Sequence, residues 1–162
     1  MQFDLNRFLT KGSEPVRREF ALECSGEAFP GYTVDSPCTV CFTARLEGSK
    51  AILEICLSAM VRAECARCLA PVAQSFEIAQ QYEVRLSELQ GENCDLPVSD
   101  RGMLDVDELA RSEILLQVPQ VLLCSDSCKG LCPVCGKPRI LGCSCETQQA
   151  DERLSVFEQL LS

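Results

Sequence analysis

The chain has 162 residues, of which thirteen are cysteine and none is histidine, and its formal net charge is −9. Without imidazole it can form neither a Ser-His-Asp triad nor a Cys-His protease pair, and it has no histidine ligand for a metal. Its 46% of hydrophobic residues excludes a disordered chain, and the lack of a secretory signal or a bilayer-long apolar run predicts a cytoplasmic protein with reduced thiols.

Three stretches with alternating apolar and polar side chains predict an antiparallel β-meander. Residues 38–46 have this two-residue period, which returns over residues 51–61 after the turn-forming residues 47–50. A third alternating run covers residues 72–86, and a further strand is expected across residues 19–28. Because the alternation gives each strand one apolar face, we expect a meander or barrel-like sheet in the N-terminal part of the chain.

Helices are predicted after the strands. Residues 87–103 are polar, acidic and rich in turn formers, which indicates a loop. Asp105 followed three residues later by a glutamate forms a capping-box pattern, so we expect a helix near 105–118, which Pro119 ends. Apolar residues that recur on one face predict a second, amphipathic helix within residues 146–162.

These elements predict the α+β class, with three parts along the chain. Residues 1–123 are expected to form a β-rich core domain with one helix near 105–118. Residues 124–145 form a small cysteine-rich zinc-knuckle module, and residues 146–162 form the C-terminal helix. Residues 71–123 carry ten acidic and three basic side chains, which makes this acidic belt the most negative part of the chain.

Six of the thirteen cysteines lie within residues 124–145, which random scatter would not produce. Cys132 and Cys135 are separated by two residues and followed by Gly136, the spacing at which a zinc knuckle turns two thiolates toward one ion. Four thiolates without histidine fit a closed, structural Zn²⁺ site rather than a catalytic site with an open position. The predicted ligands are Cys132, Cys135, Cys143 and Cys145, with Cys124 and Cys128 as the alternative second pair.

Two further cysteine pairs also have two intervening residues. Cys65 and Cys68 stand where the second strand ends, and they could form a weaker second metal site with the pair that the C-terminal module leaves over. Cys38 and Cys41 lie three apart on a strand and therefore on opposite faces, which indicates packing. The cysteines expected to be ordinary core or loop residues are Cys24, Cys56 and Cys94.

An iron–sulfur cluster or a thiol redox pair is the alternative chemistry for these cysteines. Cys128, Cys132 and Cys135 have the spacing of radical enzymes that bind a cluster and S-adenosylmethionine. Those enzymes need a large barrel, whereas only 27 residues follow Cys135. A thioredoxin-like role for the pair at 65 and 68 lacks the expected βαβ context.

From about residue 35 to the end, the order of several sequence blocks resembles the bacterial YceD family. The blocks are Cys65-Ala66-Arg67-Cys68-Leu69, residues 105–109 and 113–119, residues 123–136 with the knuckle, and residues 151–157. The resemblance implies a non-enzymatic role in ribosome biogenesis that supports accumulation or processing of large-subunit (23S) ribosomal RNA. Family members similar to this chain carry the C-terminal cysteine block and others lack it, which implies that the metal is not the family's shared mechanism.

We therefore expect a non-enzymatic ribosome-biogenesis factor with a structural Zn²⁺. Its expected partner is a ribosomal RNA precursor or a ribosomal protein, with neither a membrane nor a small-molecule substrate. A net charge of −9 disfavours direct binding to the phosphates of RNA. The acidic belt is therefore expected to face a basic ribosomal protein, or to be a solvated surface. An iron–sulfur or thiol redox protein is the alternative.

Overall fold

The computed structural model describes residues 1–12, 14–25, 29–89, 96–139 and 142–145. These residues form strands and a few helices, the α+β class that the sequence predicts, and none of their helices is long and apolar enough to cross a membrane. The helix predicted within 146–162 lies outside the described residues. The elements are β1 (Gln2–Asp4), α1 (Leu5–Lys11), β2 (Val16–Leu22), β3 (Tyr32–Val34), β4 (Cys38–Glu47), β5 (Lys50–Glu64), β6 (Pro71–Arg85), α2 (Leu86–Leu89), β7 (Met103–Asp105) and α3 (Val106–Gln117).

The predicted meander is confirmed by β4, β5 and β6, which are neighbours in one antiparallel sheet. β4 and β5 meet at the tight turn between Glu47 and Lys50. β5 then pairs with β6 along all of its 15 residues, from Lys50 opposite Arg85 to Glu64 opposite Pro71. β2 extends the sheet beyond β4, and β3 pairs with the far end of β5, past the residues that β4 occupies.

The sheet is open, so the barrel-like expectation is wrong. In the part of the chain that the structure describes, the edge strands β2 and β6 do not pair with each other. The apolar face of the sheet is covered by α1 and α3 instead, whose buried Leu5, Phe8, Leu109 and Ile114 join the same core. Because these helices exclude water from that face, the sheet buries its apolar side chains without closing into a barrel.

The two-residue alternation determines which side chains of the strands reach the core. Along β4, Cys38 and Phe42 are buried, whereas Cys41 is half-buried on the opposite face. The two cysteines therefore lie on opposite faces, as predicted. The strand expected across residues 19–28 lies earlier, at Val16–Leu22, because β2 ends where its partner β4 begins.

The outer face of the sheet is polar, and many of its charges are paired. Cys56 is exposed on this face as the register partner of Cys41, so it is neither a core nor a loop residue. Cys24 is buried in the core, and Cys94 lies outside the described residues. The ion pairs are Arg17 with Glu19 at 2.8 Å, Arg45 with Glu54 at 2.6 Å, Lys50 with Glu83 at 2.6 Å and Arg62 with Asp35 at 2.8 Å. Such exposed pairs add little stability, but within each pair the two charges neutralise each other.

α3 begins and ends where the sequence predicts. The Asp105 carboxylate accepts hydrogen bonds from the backbone N–H groups of Asp107 at 3.1 Å and Glu108 at 3.2 Å, which caps the first turn. The helix ends at Gln117, two residues before Pro119. The predicted helix near 105–118 is therefore confirmed.

A buried carboxylate links α3 to the sheet. Glu113 is 4% exposed and accepts hydrogen bonds from the Tyr82 hydroxyl and from Gln117 Nε2, the latter at 2.7 Å. Burial, together with this neighbouring carboxylate, raises the pKa of Tyr82, so its hydroxyl stays protonated and donates. The contact holds α3 against β6.

The sequence patterns missed α1 and the small sheet formed by β1 and β7. α1 has 7 residues, too few for a clear helical period, and the Asp4 carboxylate caps it by accepting from the Arg7 N–H at 2.8 Å. β1 pairs antiparallel with β7, so the start of the chain lies beside the start of α3. α2 also enters the segment 87–103 that was predicted as a loop, and β7 begins at its end.

Candidate metal centres

The connection between β5 and β6 is a cysteine knuckle. The N–H of Cys65 donates to the carbonyl of Ala70 at 2.8 Å, and the N–H of Leu69 donates to the carbonyl of Cys65 at 2.9 Å. Leu69 has a φ of +59°, in the left-handed region that favours glycine, and its side chain is 58% exposed. The chain therefore reverses tightly right after the second cysteine of the pair, Cys68.

A second knuckle, at residues 132–137, repeats this hydrogen-bond pattern. The N–H of Cys132 donates to the carbonyl of Lys137 at 2.8 Å, and the N–H of Gly136 donates to the carbonyl of Cys132 at 2.8 Å. Gly136 has a φ of +69° and stands where the first knuckle has Leu69. The Cys-x-x-Cys spacing that the two knuckles share is the sequence signal for their equivalence. The signal is weak at the first knuckle, because Leu69 stands where the second knuckle has a glycine.

Each knuckle is joined by a second cysteine pair from further along the chain. Cluster 1 consists of Cys65, Cys68, Cys124 and Cys128, and cluster 2 consists of Cys132, Cys135, Cys143 and Cys145. The four Sγ atoms of each cluster lie within 4.8 Å of one another. Each cluster thus offers the four sulfur ligands that a tetrahedral ion takes.

The sulfur separations in cluster 1 fit a single tetrahedral zinc ion. The Sγ atoms of Cys65 and Cys128 are 3.9 Å apart, and those of Cys68 and Cys124 are 3.6 Å apart. Zn–S bonds of about 2.3 Å in tetrahedral geometry place sulfurs about 3.8 Å apart. Four thiolates leave no coordination position for water or substrate, so this donor set is typical of a structural site.

Spacing alone left two cysteine pairs open as partners of the second knuckle, and the geometry assigns one pair to each knuckle. Cys143 and Cys145 accompany the second knuckle, as predicted for the main site. Cys124 and Cys128 accompany the first knuckle instead, and they complete the weaker second site. This is the eight-thiolate arrangement that the sequence left open, and ligation of a metal by either cluster stays a prediction.

Backbone amides stabilise one thiolate in each cluster. A hydrogen bond from the backbone of Cys124 is the largest influence that lowers the pKa of Cys65 to about 6. The backbone of Cys135 has the corresponding effect on Cys132, whose pKa is also lowered to about 6. Contact with neighbouring thiols raises the pKa of Cys124 and of Cys145 to about 12. One thiolate is therefore present near neutral pH to begin metal binding, and a bound cation would favour loss of the other protons.

The β5–β6 connection, which carries two cysteines of cluster 1, is hydrogen-bonded to the chain that follows α3. The N–H of Ala66 donates to the carbonyl of Leu122 at 3.0 Å, and the N–H of Leu131 donates to the carbonyl of Arg67 at 3.1 Å. Gly130 approaches the same knuckle so closely that a Cβ there would lie 3.0 Å from the Arg67 carbonyl oxygen. These contacts pack the segment between the two knuckles against the first of them.

Replacing Leu69 with glycine is expected to stabilise the protein by about 0.5 to 1 kcal/mol. Relief of the left-handed strain gives about 1–2 kcal/mol, and the larger entropy of glycine in the unfolded chain offsets part of it. The exposed leucine side chain loses little burial. Urea denaturation of the metal-loaded protein measures the change, and Gly136→Leu, at the equivalent position, should lose stability. A lower midpoint for Leu69→Gly would contradict the argument.

An open antiparallel sheet with two knuckle-based thiol clusters defines a protein with candidate structural metal centres. The family model described as "Large ribosomal RNA subunit accumulation protein YceD" matches residues 53–161, which include every cysteine of both clusters. The chain belongs to the YceD family. It is also similar to the "Uncharacterized protein YlbN" of Bacillus subtilis (strain 168), with 26% identity over 129 residues that cover 78% of this chain and 75% of that protein. No solved structure matches the chain.

Proposed function

We propose that this protein supports the accumulation of large-subunit ribosomal RNA as a non-enzymatic assembly factor. The observation that carries the proposal is the family match over residues 53–161, a range that includes α3 and both clusters. Sets of four thiolates, which would leave a bound ion closed to substrate, support a structural rather than a catalytic role for the metal. On this proposal the protein acts in the cytoplasm on a ribosomal RNA precursor or a ribosomal protein, with neither a membrane nor a small-molecule substrate.

The proposal includes Zn²⁺ as the ion of both clusters. Zinc takes four thiolates tetrahedrally and has no redox chemistry of its own, which suits a site that holds two chain segments together. The sulfur separations of 3.9 Å and 3.6 Å in cluster 1 support one ion, because a multinuclear iron–sulfur cluster would hold its thiolates on separate iron atoms and farther apart.

Deletion of the gene followed by complementation tests the function. We expect the deletion strain to have less large-subunit RNA relative to small-subunit RNA, and the tagged protein to co-sediment with large-subunit precursors in sucrose gradients. The wild-type gene and a Cys56→Ser variant, altered on the exposed outer face, should restore the RNA ratio. A Cys68→Ser variant, altered in cluster 1, should not. An unchanged RNA ratio in the deletion strain would overturn the proposal.

Elemental analysis of the purified protein tests the metal. We expect a colourless preparation with about two zinc ions per chain, one for each cluster. A brown preparation that contains iron would contradict the zinc assignment and favour the iron–sulfur alternative.

A further inference from the structure

A cleft lined by basic side chains lies beside both cysteine clusters. Lys129 and Arg139 line two cavities of about 350 Å³ and about 260 Å³. The larger cavity is also lined by Ser125 and Ser127, and the smaller one by Gly142, along with cysteines of cluster 1 and cluster 2 respectively. The lining residues that the structure describes offer ammonium, guanidinium and hydroxyl donors, and none of them carries a carboxylate.

Backbone hydrogen bonds hold the two segments that carry the cations of the cleft. The N–H of Arg139 donates to the carbonyl of Gly130, the residue after Lys129, at 2.9 Å. The N–H of Gly142 donates in turn to the carbonyl of Arg139 at 3.1 Å. The first bond joins the two ends of the second knuckle, and the second bond lies between that knuckle and its partner cysteines. The backbone that carries the cations is therefore held before a ligand binds, which lowers the entropy cost of binding.

The cleft differs in charge from the rest of the chain. Arg17, Arg45, Lys50 and Arg62 on the outer face of the sheet are in ion pairs. None of the ion pairs found within the described ranges uses Lys129 or Arg139. Residues 124–145 carry three basic residues and one acidic residue, in a chain with a net charge of −9. Asp126, that one acidic residue, is not among the described residues that line the two cavities.

The zinc–thiolate clusters limit how many phosphates the cleft can hold. Each set of four thiolates with one Zn²⁺ carries a net charge of about −2, so the loaded module is not a broad cationic surface. A long electrostatic groove along a nucleic acid is therefore excluded. Two cations on held backbone segments, with the hydroxyls of Ser125 and Ser127 beside them, instead suit one or two phosphodiester groups, bound by charge-assisted hydrogen bonds.

We infer that this cleft binds the phosphate backbone of ribosomal RNA, with Lys129 and Arg139 as the phosphate ligands. The inference rests on the proposed function, since the family description names ribosomal RNA but no contact surface. It assigns RNA contact to the junction of the two clusters rather than to the acidic belt.

RNA binding by the full-length, zinc-loaded protein tests the inference. The probes are transcribed fragments that tile the large-subunit ribosomal RNA, and binding is measured over a range of salt concentrations. The double variant Lys129→Gln/Arg139→Gln should bind about tenfold more weakly or worse at low salt, and its log–log salt slope should be smaller by about 1.5. The control Lys11→Gln/Arg18→Gln removes the same charges from exposed positions on α1 and β2 and should bind as wild type. Zinc content and circular dichroism verify that both variants are folded.

Several outcomes would overturn the inference. One is that the cleft variant has the RNA affinity and the salt slope of the wild type. Another is that the wild-type protein binds duplex DNA of the same length as tightly as RNA. The third is that Lys129 and Arg139 are needed to bind a ribosomal protein instead of RNA. The deletion strain separates this inference from the proposed function. If large-subunit RNA is reduced in that strain but the wild-type protein binds no RNA, the inference is wrong and the proposed function stands. If the protein binds RNA through the cleft but the RNA ratio is unchanged, the proposed function is wrong and the inference stands.

Discussion

Replacing Cys65 with serine is expected to remove one of two bound metal ions and to lower the free energy of unfolding by more than about 3 kcal/mol. Cys65 is 0% exposed and stands at the first position of the knuckle that joins β5 to β6. A serine hydroxyl is a poor zinc ligand, so the three remaining thiols would be left close together without a cation. The connection would then lose its hold on the segment after α3, which packs on it through Leu122 and Leu131.

Two matched variants make this result specific. Cys135→Ser should also lose one ion, but with a smaller loss of stability, because Cys135 is exposed, whereas Cys65 lies in a buried cluster with Cys68 and Cys128. Cys56→Ser, on the exposed outer face, should keep both ions and near-wild-type stability. Zinc stoichiometry and denaturant unfolding measure the three variants side by side. Two ions retained by Cys65→Ser, or equal destabilisation in all three, would contradict the assignment of cluster 1.

Replacing Gly102 with alanine is expected to destabilise the protein by about 3 kcal/mol. Gly102 has a φ of +76°, and its carbonyl accepts hydrogen bonds from the N–H groups of Leu5 at 3.0 Å and Asn6 at 3.2 Å. A Cβ at this position would lie 2.4 Å from the Cβ of Asn6, a distance that no rotamer change can relieve. α1 would have to move away from the β1–β7 sheet, and the buried Leu5 and Phe8 would move with it.

The variant Gly48→Ala separates backbone strain from steric clash. Gly48 has a φ of +64°, similar to that of Gly102, but nothing lies within 4 Å of the added Cβ. It should therefore lose only about 1 kcal/mol. Urea denaturation of both variants gives the comparison, and the difference between them measures the clash. Equal losses would show that α1 does not pack on Gly102 as described.

The elements that sequence patterns predicted are those whose pattern is local and repeated. β4, β5 and β6 alternate over 10 to 15 residues, so the two-residue period identifies them and their buried faces. α3 combines a capping residue, Asp105, with twelve residues of helical period and a proline beyond its end. β1, β3 and β7 have 3 residues each, which is too few to show a period, and they form because a partner strand is available in the folded chain.

The cysteine clusters show the same division between local and long-range information. Spacing and Gly136 predicted the second knuckle, and spacing at the end of a strand made Cys65 and Cys68 a weaker candidate pair, because Cys-x-x-Cys in a local reversal turns two sulfurs to one side. Spacing could not assign the second pairs. Cys124 and Cys128 follow Cys65 and Cys68 by more than fifty residues, and they reach the first knuckle only because α3 returns the chain to the end of β5.

By itself, the sequence determined the α+β class, the meander, α3, the thiolate-only character of the candidate metal sites and the resemblance to the YceD family. Tertiary structure decided that the sheet stays open, because α1 and α3 cover its apolar face. It also decided which cysteines meet, because two sulfurs that are distant in the chain come within contact only when the elements between them are packed. The cleft at Lys129 and Arg139 is likewise a product of the tertiary structure, since the proximity of these two residues depends on the hydrogen bond between Gly130 and Arg139 across the second knuckle.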